Sequence, residues 1–202
     1  MAISEEKILE IQERLRGLNP EEQQKKLNEI LRELSPEELQ DLTQQNCLFC
    51  EISNKKIDAK TVYEDGIVMA VLDINPANKG HLLIFPKKHH QFLFQVSDTE
   101  TEHLFKIVNK LSLAIINGLN AEGNNIFIAN GQIAGQNSPH IVIHLIPRFK
   151  DDKIDFKWTP KQINEEEMLK LANLIKSNLD TVKQIKVNKQ KSLDYEEEER
   201  IA

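Results

Sequence analysis

From His140 to Arg148 the chain reads His-Ile-Val-Ile-His-Leu-Ile-Pro-Arg, and no other segment limits its fold so sharply. Successive side chains of an extended strand point to opposite faces. Ile141, Ile143 and Leu145 therefore form an apolar face that needs a core to cover it, and His140, Val142 and His144 share the other. A lone histidine on a strand is more often a hydrogen-bonded structural residue. Two on one face, beside Gly135-Gln136-Asn137-Ser138, point to a pocket for an anion or a metal.

Other strands are predicted around this one. Thr61–Tyr63, Ile67–Leu72, His81–Phe85 and Asn125–Asn130 are short, β-branched or apolar, and separated by turn formers such as Asp65-Gly66 and Asn75–Gly80. Between them, Ser97 to about Leu119 reads as one long helix. Leu104, Ile107, Val108, Leu111 and Ile115 lie on one face, Ser97 is placed to cap it, and Gly118 sits near its end. Several antiparallel strands with one long helix make an α+β fold.

Before Cys47 the pattern is different. Leu18-Asn19-Pro20-Glu21-Glu22 recurs as Leu34-Ser35-Pro36-Glu37-Glu38, each copy reading as a helix start with a cap residue, a proline and acids near the positive end of the dipole. Residues 1–46 are predicted as three short helices, with Leu27, Ile30, Leu31 and Leu34 on one stripe. After Arg148 a turn-like charged stretch leads to a helix at about Asn164–Leu179 with Asn164 as cap, then a charged tail over 183–202. Residues 1–46 carry 6 basic against 11 acidic side chains; residues 47–150 are almost neutral and hold all 6 histidines and both cysteines. The chemistry is expected in that middle region. No apolar stretch is long enough to span a bilayer, and Ile3–Arg16 alternates charged with apolar residues at helical spacing in place of a leader, so a cytoplasmic location is expected. The net charge of −6 argues against a sequence-blind nucleic-acid binder.

The segment Gly135-Gln136-Asn137-Ser138-Pro139-His140-Ile141-Val142-Ile143-His144-Leu145-Ile146-Pro147-Arg148 resembles the signature of the histidine triad (HIT) family of nucleotide-binding proteins. Cys47-Leu48-Phe49-Cys50-Glu51-Ile52 resembles the opening of its zinc-binding branch. Tyr63-Glu64-Asp65, Leu72-Asp73-Ile74-Asn75-Pro76, Gly80-His81 and Pro86-Lys87-Lys88-His89 follow in the family's order. The resemblance covers roughly residues 47–180. It implies a HIT-like antiparallel sheet with one long helix at 47–150, flanked by the helical extension 1–46, a segment with a helix at 151–182 and the tail 183–202.

What the resemblance implies about the site can be carried over by position. Cys47, Cys50, His89 and His140 correspond to four ligands of a structural Zn²⁺, with His90 a competitor of His89. Asp73 corresponds to the acid that accepts from ribose hydroxyls, with Leu72 and Ile74 beside the base. Asn130, Gln136, Asn137 and His144 correspond to groups around the α-phosphate, and His81 to a supporting residue. The family motif is His-φ-His-φ-His, and its middle histidine attacks phosphorus; here that position is Val142, which has no lone pair to offer. The resemblance therefore implies a purine nucleotide-binding protein, zinc-containing and homodimeric, with weak or no nucleotidyl hydrolase or transferase activity. Two other readings stay open. One is an active nucleoside phosphoramidase or dinucleotide hydrolase working without a covalent step or with a rearranged nucleophile, His144 carrying the catalysis. The other is an interaction protein that binds a partner through residues 1–46 and keeps a vestigial pocket.

Overall fold

The alternation read from the sequence is realised in a five-stranded antiparallel sheet. The computed structural model describes residues 5–35, 38 and 47–179. Strands β1 (Thr61–Glu64), β2 (Val68–Leu72), β3 (Leu82–Pro86), β4 (Gly123–Ile128) and β5 (Ile143–Arg148) lie in the order β1-β2-β3-β5-β4. Core side chains lie on both faces, and period two shows which side chain goes where. Val68 and Ala70 of β2 join Leu82, Ile84, Ile143 and Leu145 under the long helix α4 (Asp98–Leu119), which contributes Leu104, Ile107, Val108, Leu111 and Ile115. Met69 and Val71 point the other way and pack with Phe85, Val142 and the short helix α3 (Leu48–Ser53). Burying residues such as Ile84, Ile143 and Leu145 at 0% exposure contributes roughly 1.5–3 kcal/mol each.

The ends of α4 follow from local chemistry. Ser97 accepts from the Glu100 N–H, and Glu100 reaches back to the Ser97 N–H, closing a capping box. Gly118 does not end the helix. Asn120 does, in the left-handed conformation at φ 54°, which asparagine tolerates better than most side chains. Gly80, at φ 79°, is required for a second reason as well: a Cβ there would overlap Leu119 Cδ1.

The predicted strand His140–Pro147 begins only at Ile143, because the Ile141 N–H donates to the His90 carbonyl at 2.7 Å and leaves the ladder. The alternation nevertheless continues through this extended stretch, since Val142 packs on the face opposite Ile143. The cysteine segment, for which no element was predicted, forms α3 and so places Cys47 and Cys50 one helical turn apart.

In the extension, α1 (Glu5–Leu15) and α2 (Pro20–Glu33) pack Ile11 against Ile30 and Leu34, and Arg14 reaches Glu33 at 2.9 Å. Asn19 caps α2 in a capping box, and Ser35 makes the corresponding bonds with Glu38. The side chain of Leu31 and the third predicted helix beyond Glu38 lie outside the described residues, as does the 183–202 tail. The chain divides into two units, the first ending at Ile154. In the second, residues 165–179 form helix α5, started by Asn164, whose Oδ1 accepts from the Glu167 N–H at 2.9 Å. No helix among the described residues is long and apolar enough to cross a membrane.

Candidate functional site

The face of the sheet opposite α4 carries a cavity of about 510 Å³, whose wall includes His140, Val142 and His144, the three residues that share a face in the sequence pattern. A cluster of ligating side chains stands at each end of that row. Cys47, Cys50, His89 and His140 form one; Asp73, His81 and His144 form the other.

The first cluster is closed. All four residues are buried and their ligating atoms lie within 4.8 Å of one another. Cys47 Sγ is 3.4 Å and Cys50 Sγ 3.7 Å from His140 Nδ1, and Cys50 Sγ is 3.2 Å from His89 Nδ1. A tetrahedral zinc ion with ordinary Zn–S and Zn–N bonds would hold sulfur and nitrogen ligands roughly 3.5 Å apart, so the donor set fits the metal in number, type and spacing. The second ring nitrogen of His140 faces the Pro86 carbonyl at 2.9 Å. An Nε2–H donated there leaves the Nδ1 lone pair for a metal, a second-shell arrangement usual for ligating histidines. Burial, reinforced by the neighbouring Cys47 thiol, pushes the Cys50 thiol up to about 12. Burial also pulls His140 down to about 4. Thiolates in this setting need a cation, and a dication among them supplies it. Of the adjacent histidines, the His89 ring enters the cluster, whereas the His90 ring turns toward Glu100, 3.9 Å away.

The second cluster is open to the cavity. Asp73 follows β2, and its Oδ1 accepts from the Asn75 N–H at 2.8 Å. Its Oδ2 is 3.3 Å from His81 Nδ1. The Ala77 N–H donates to that same nitrogen at 3.1 Å, and His81 Nε2 lies 3.1 Å from His144 Nδ1. Burial lowers the titration of both histidines below the ordinary imidazole value, although Asp73 pulls in the opposite direction. Both rings are therefore neutral near pH 7.

Val142 lies between these clusters, 8% exposed, and offers the cavity only hydrocarbon. Ile74, 89% exposed, stands at the cavity mouth, and Asn137 is on its wall. Leu72 does not line it: parity on β2 places Leu72 with Val68 and Ala70, on the α4 face of the sheet. Asn130 does not line it either, because its Oδ1 accepts from the Leu93 N–H at 2.8 Å. Gln136 is on the wall, but its amide is taken up in holding the loop. Its Oε1 accepts from the Gly131 N–H at 2.7 Å, and its Nε2 donates to the Gln91 carbonyl at 2.7 Å and the Ser138 carbonyl at 2.9 Å. Arg148 turns away, bonding Asp152, Asn125 and the Ile154 carbonyl. Phe49, Leu83 and Phe127 also line the cavity without having been singled out in the sequence. Leu83 was accessible to the same parity argument, one residue out of step with Leu82 and Ile84.

A model of the HIT domain family matches residues 54–151. An uncharacterized HIT-like protein of Methanocaldococcus jannaschii is 42% identical over 125 residues, 61% of this chain and 96% of that protein. The adenosine 5'-monophosphoramidase of Schizosaccharomyces pombe is 31% identical over 135 residues, 66% of this chain and 98% of its own length. The crystal structure of a Zn-bound histidine triad family protein from Mycobacterium smegmatis superposes with a TM-score of 0.53 at 32% identity, covering 69% of this chain and 99% of that one.

Proposed function

Because this chain belongs to the HIT family, we propose that it is a purine nucleotide-binding protein in which covalent catalysis has been given up. What supports this reading is Val142, which lines the cavity with His140 and His144 and stands where the resemblance puts the middle histidine of the motif. A valine cannot form a nucleotidyl adduct or be activated by any neighbour. Water attack helped only by a positioned histidine is left, and acid–base assistance of that kind contributes about 10²–10⁴-fold, so turnover is weak or absent.

The pocket binds a nucleoside monophosphate with the ribose at Asp73, whose Oδ2 accepts from a hydroxyl, and the base at the mouth near Ile74. The phosphate lies against His144 and the Asn137-Ser138 end of the loop. Backbone N–H groups of Gly135 and Gln136 bond to Gln132 and Gly131 carbonyls, which leaves the later part of the loop to face the anion. Cys47, Cys50, His89 and His140 hold a structural Zn²⁺, which ties α3 to the approach to β5 beneath the cavity. The edge position of β4 in the sheet supports the homodimer that the resemblance implies.

Calorimetry with AMP, paired with a turnover assay on adenosine 5'-phosphoramidate, tests the proposal. Saturable binding with turnover near background is the expected result. Fast turnover through a trapped enzyme–nucleotide adduct on another residue would overturn it.

A further inference from the structure

One backbone N–H fixes where the protons sit in the open cluster. A histidine ring can move its proton between two nitrogens, but a peptide N–H can only donate. The Ala77 N–H points at His81 Nδ1 at 3.1 Å. A neutral His81 must therefore keep Nδ1 unprotonated and carry its hydrogen on Nε2. That hydrogen faces His144 Nδ1 at 3.1 Å, and a neutral His144 answers by accepting there and carrying its own hydrogen on Nε2. With Nδ1 used in this way, Nε2 is the nitrogen His144 has left for the cavity it lines. The opposite assignment would aim the Ala77 N–H at a protonated Nδ1, and His81 would present a lone pair to His144.

The same constraint acts on Asp73. Its Oδ2 lies 3.3 Å from His81 Nδ1, but a nitrogen already accepting from Ala77 has no proton to give it. Oδ1 takes the Asn75 N–H, so Oδ2 remains an acceptor. We infer that Ala77, acting through His81, sets the polarity of the pocket, with His81 as a positioning residue that holds His144 as a hydrogen-bond donor while leaving Asp73 as an acceptor. A ligand fits this array in one direction only, with a hydroxyl toward Asp73 and an anionic oxygen toward His144. In this state His144 presents N–H to the phosphate and has no lone pair there to act as a base toward water. This inference rests on the nucleotide reading only for the identity of the ligand; the proton positions stand without it.

The test begins with the ligand-free full-length protein, ¹⁵N-labelled at histidine, with His81→Asn and His144→Asn used to assign the signals. At pH 7.5, two-bond ¹⁵N–¹H spectra should show both rings protonated on Nε2 alone. A His144 signal from the Nδ1–H form, or a doubly protonated His81, would overturn the inference. AMP affinity then measures the consequence. Asparagine places an amide where Nδ1 was and can satisfy Ala77, but it falls short of His144; glutamine reaches the Nε2 position and can donate to it. His81→Asn should lose about tenfold in affinity, the scale of one bond to a charged group, and His81→Gln should recover most of that loss. Equal affinities for the two variants would overturn the positioning role. Nε2–H tautomers in a protein that does not bind AMP would remove the nucleotide reading and leave the proton assignment standing. The wrong tautomer in a protein that does bind AMP would do the reverse.

Discussion

The two clusters that flank Val142 use similar side chains to opposite ends. In the cysteine cluster the side chains are buried and the known bonds of His140 occupy both of its ring nitrogens, one toward sulfur and one toward a carbonyl. In the aspartate cluster Asp73 and His144 line a cavity of about 510 Å³, and Asn75 takes up one oxygen of the first while His81 takes up one nitrogen of the second. A saturated set of donors has nothing to offer a ligand and contributes to stability; an unsaturated set contributes to affinity. On the proposed reading, His140 and His144, which share a face of one extended segment, serve different ends, and the distinction lies in what stands behind each ring.

The most severe way to break the comparison is at the closed end. Cys50→Ser, or exhaustive chelation, should remove one equivalent of zinc and several kcal/mol of stability. Melting should then fall by more than about 10 °C, read by calorimetry with metal analysis on the same sample. A variant that melts like the parent would show that the closed cluster is not structural. Between the clusters, Val142→His should raise phosphoramidate turnover roughly a hundredfold, about 2.7 kcal/mol of barrier, and allow an adduct to be trapped. No gain from that change would mean the pocket is not arranged for phosphorus chemistry. At the open end, His144→Ala should weaken AMP about tenfold with little change in melting, the inverse of the cysteine variant. A large fall in melting would erase the distinction between the two clusters.

Acid should be felt at the open end. His81 and His144 both titrate below the unfolded imidazole value because burial disfavours the cation. Below about pH 6.5 the unfolded chain takes up protons that the native rings refuse, so the stability present above that pH is lost as pH falls. The urea midpoint should decline from pH 7.5 to 5, and a flat profile would contradict the buried neutral rings. The smallest effect is expected away from both clusters. His103 on α4 pairs with Asp65 at 2.7 Å, and Asp65 also accepts from Tyr63 at 2.7 Å. Burial would raise the Asp65 carboxyl, but hydrogen bonds from Val68, His103, Ile67 and Tyr63 outweigh it and hold the group well below the usual range. The pair is partly exposed, so His103→Ala should cost at most about 1 kcal/mol and leave AMP affinity unchanged.

Most of the fold could be read from alternation, because period two is enforced wherever a strand has a core on either side. Ile141, Ile143 and Leu145 give their face away, as do the five α4 residues that meet the sheet. The site was legible where strand parity or a short spacing determines it: His140, Val142, His144, and Cys47 with Cys50. It was not legible where tertiary placement decides. Leu72 adjoins Asp73 in sequence yet faces the other side of the sheet, since parity follows the pairing of β2 and not proximity to an interesting neighbour. His89 and His90 are both buried and differ in which ring meets the cysteines. Asn130 and Gln136 have the polarity expected near a phosphate, but their amides are occupied by Leu93, Gly131, Gln91 and Ser138. Ala77 could not have been singled out, because what matters there is a peptide hydrogen and every residue but proline has one.

Gln136 has a kinetic consequence. By joining Gly131, Gln91 and Ser138 through one amide, it ties down the loop before His140 during folding. An arriving molecule then encounters a wall that is already ordered, and association loses little entropy to organising that segment. Capture should be a single rapid phase, with residence time rather than rearrangement separating good ligands from poor ones.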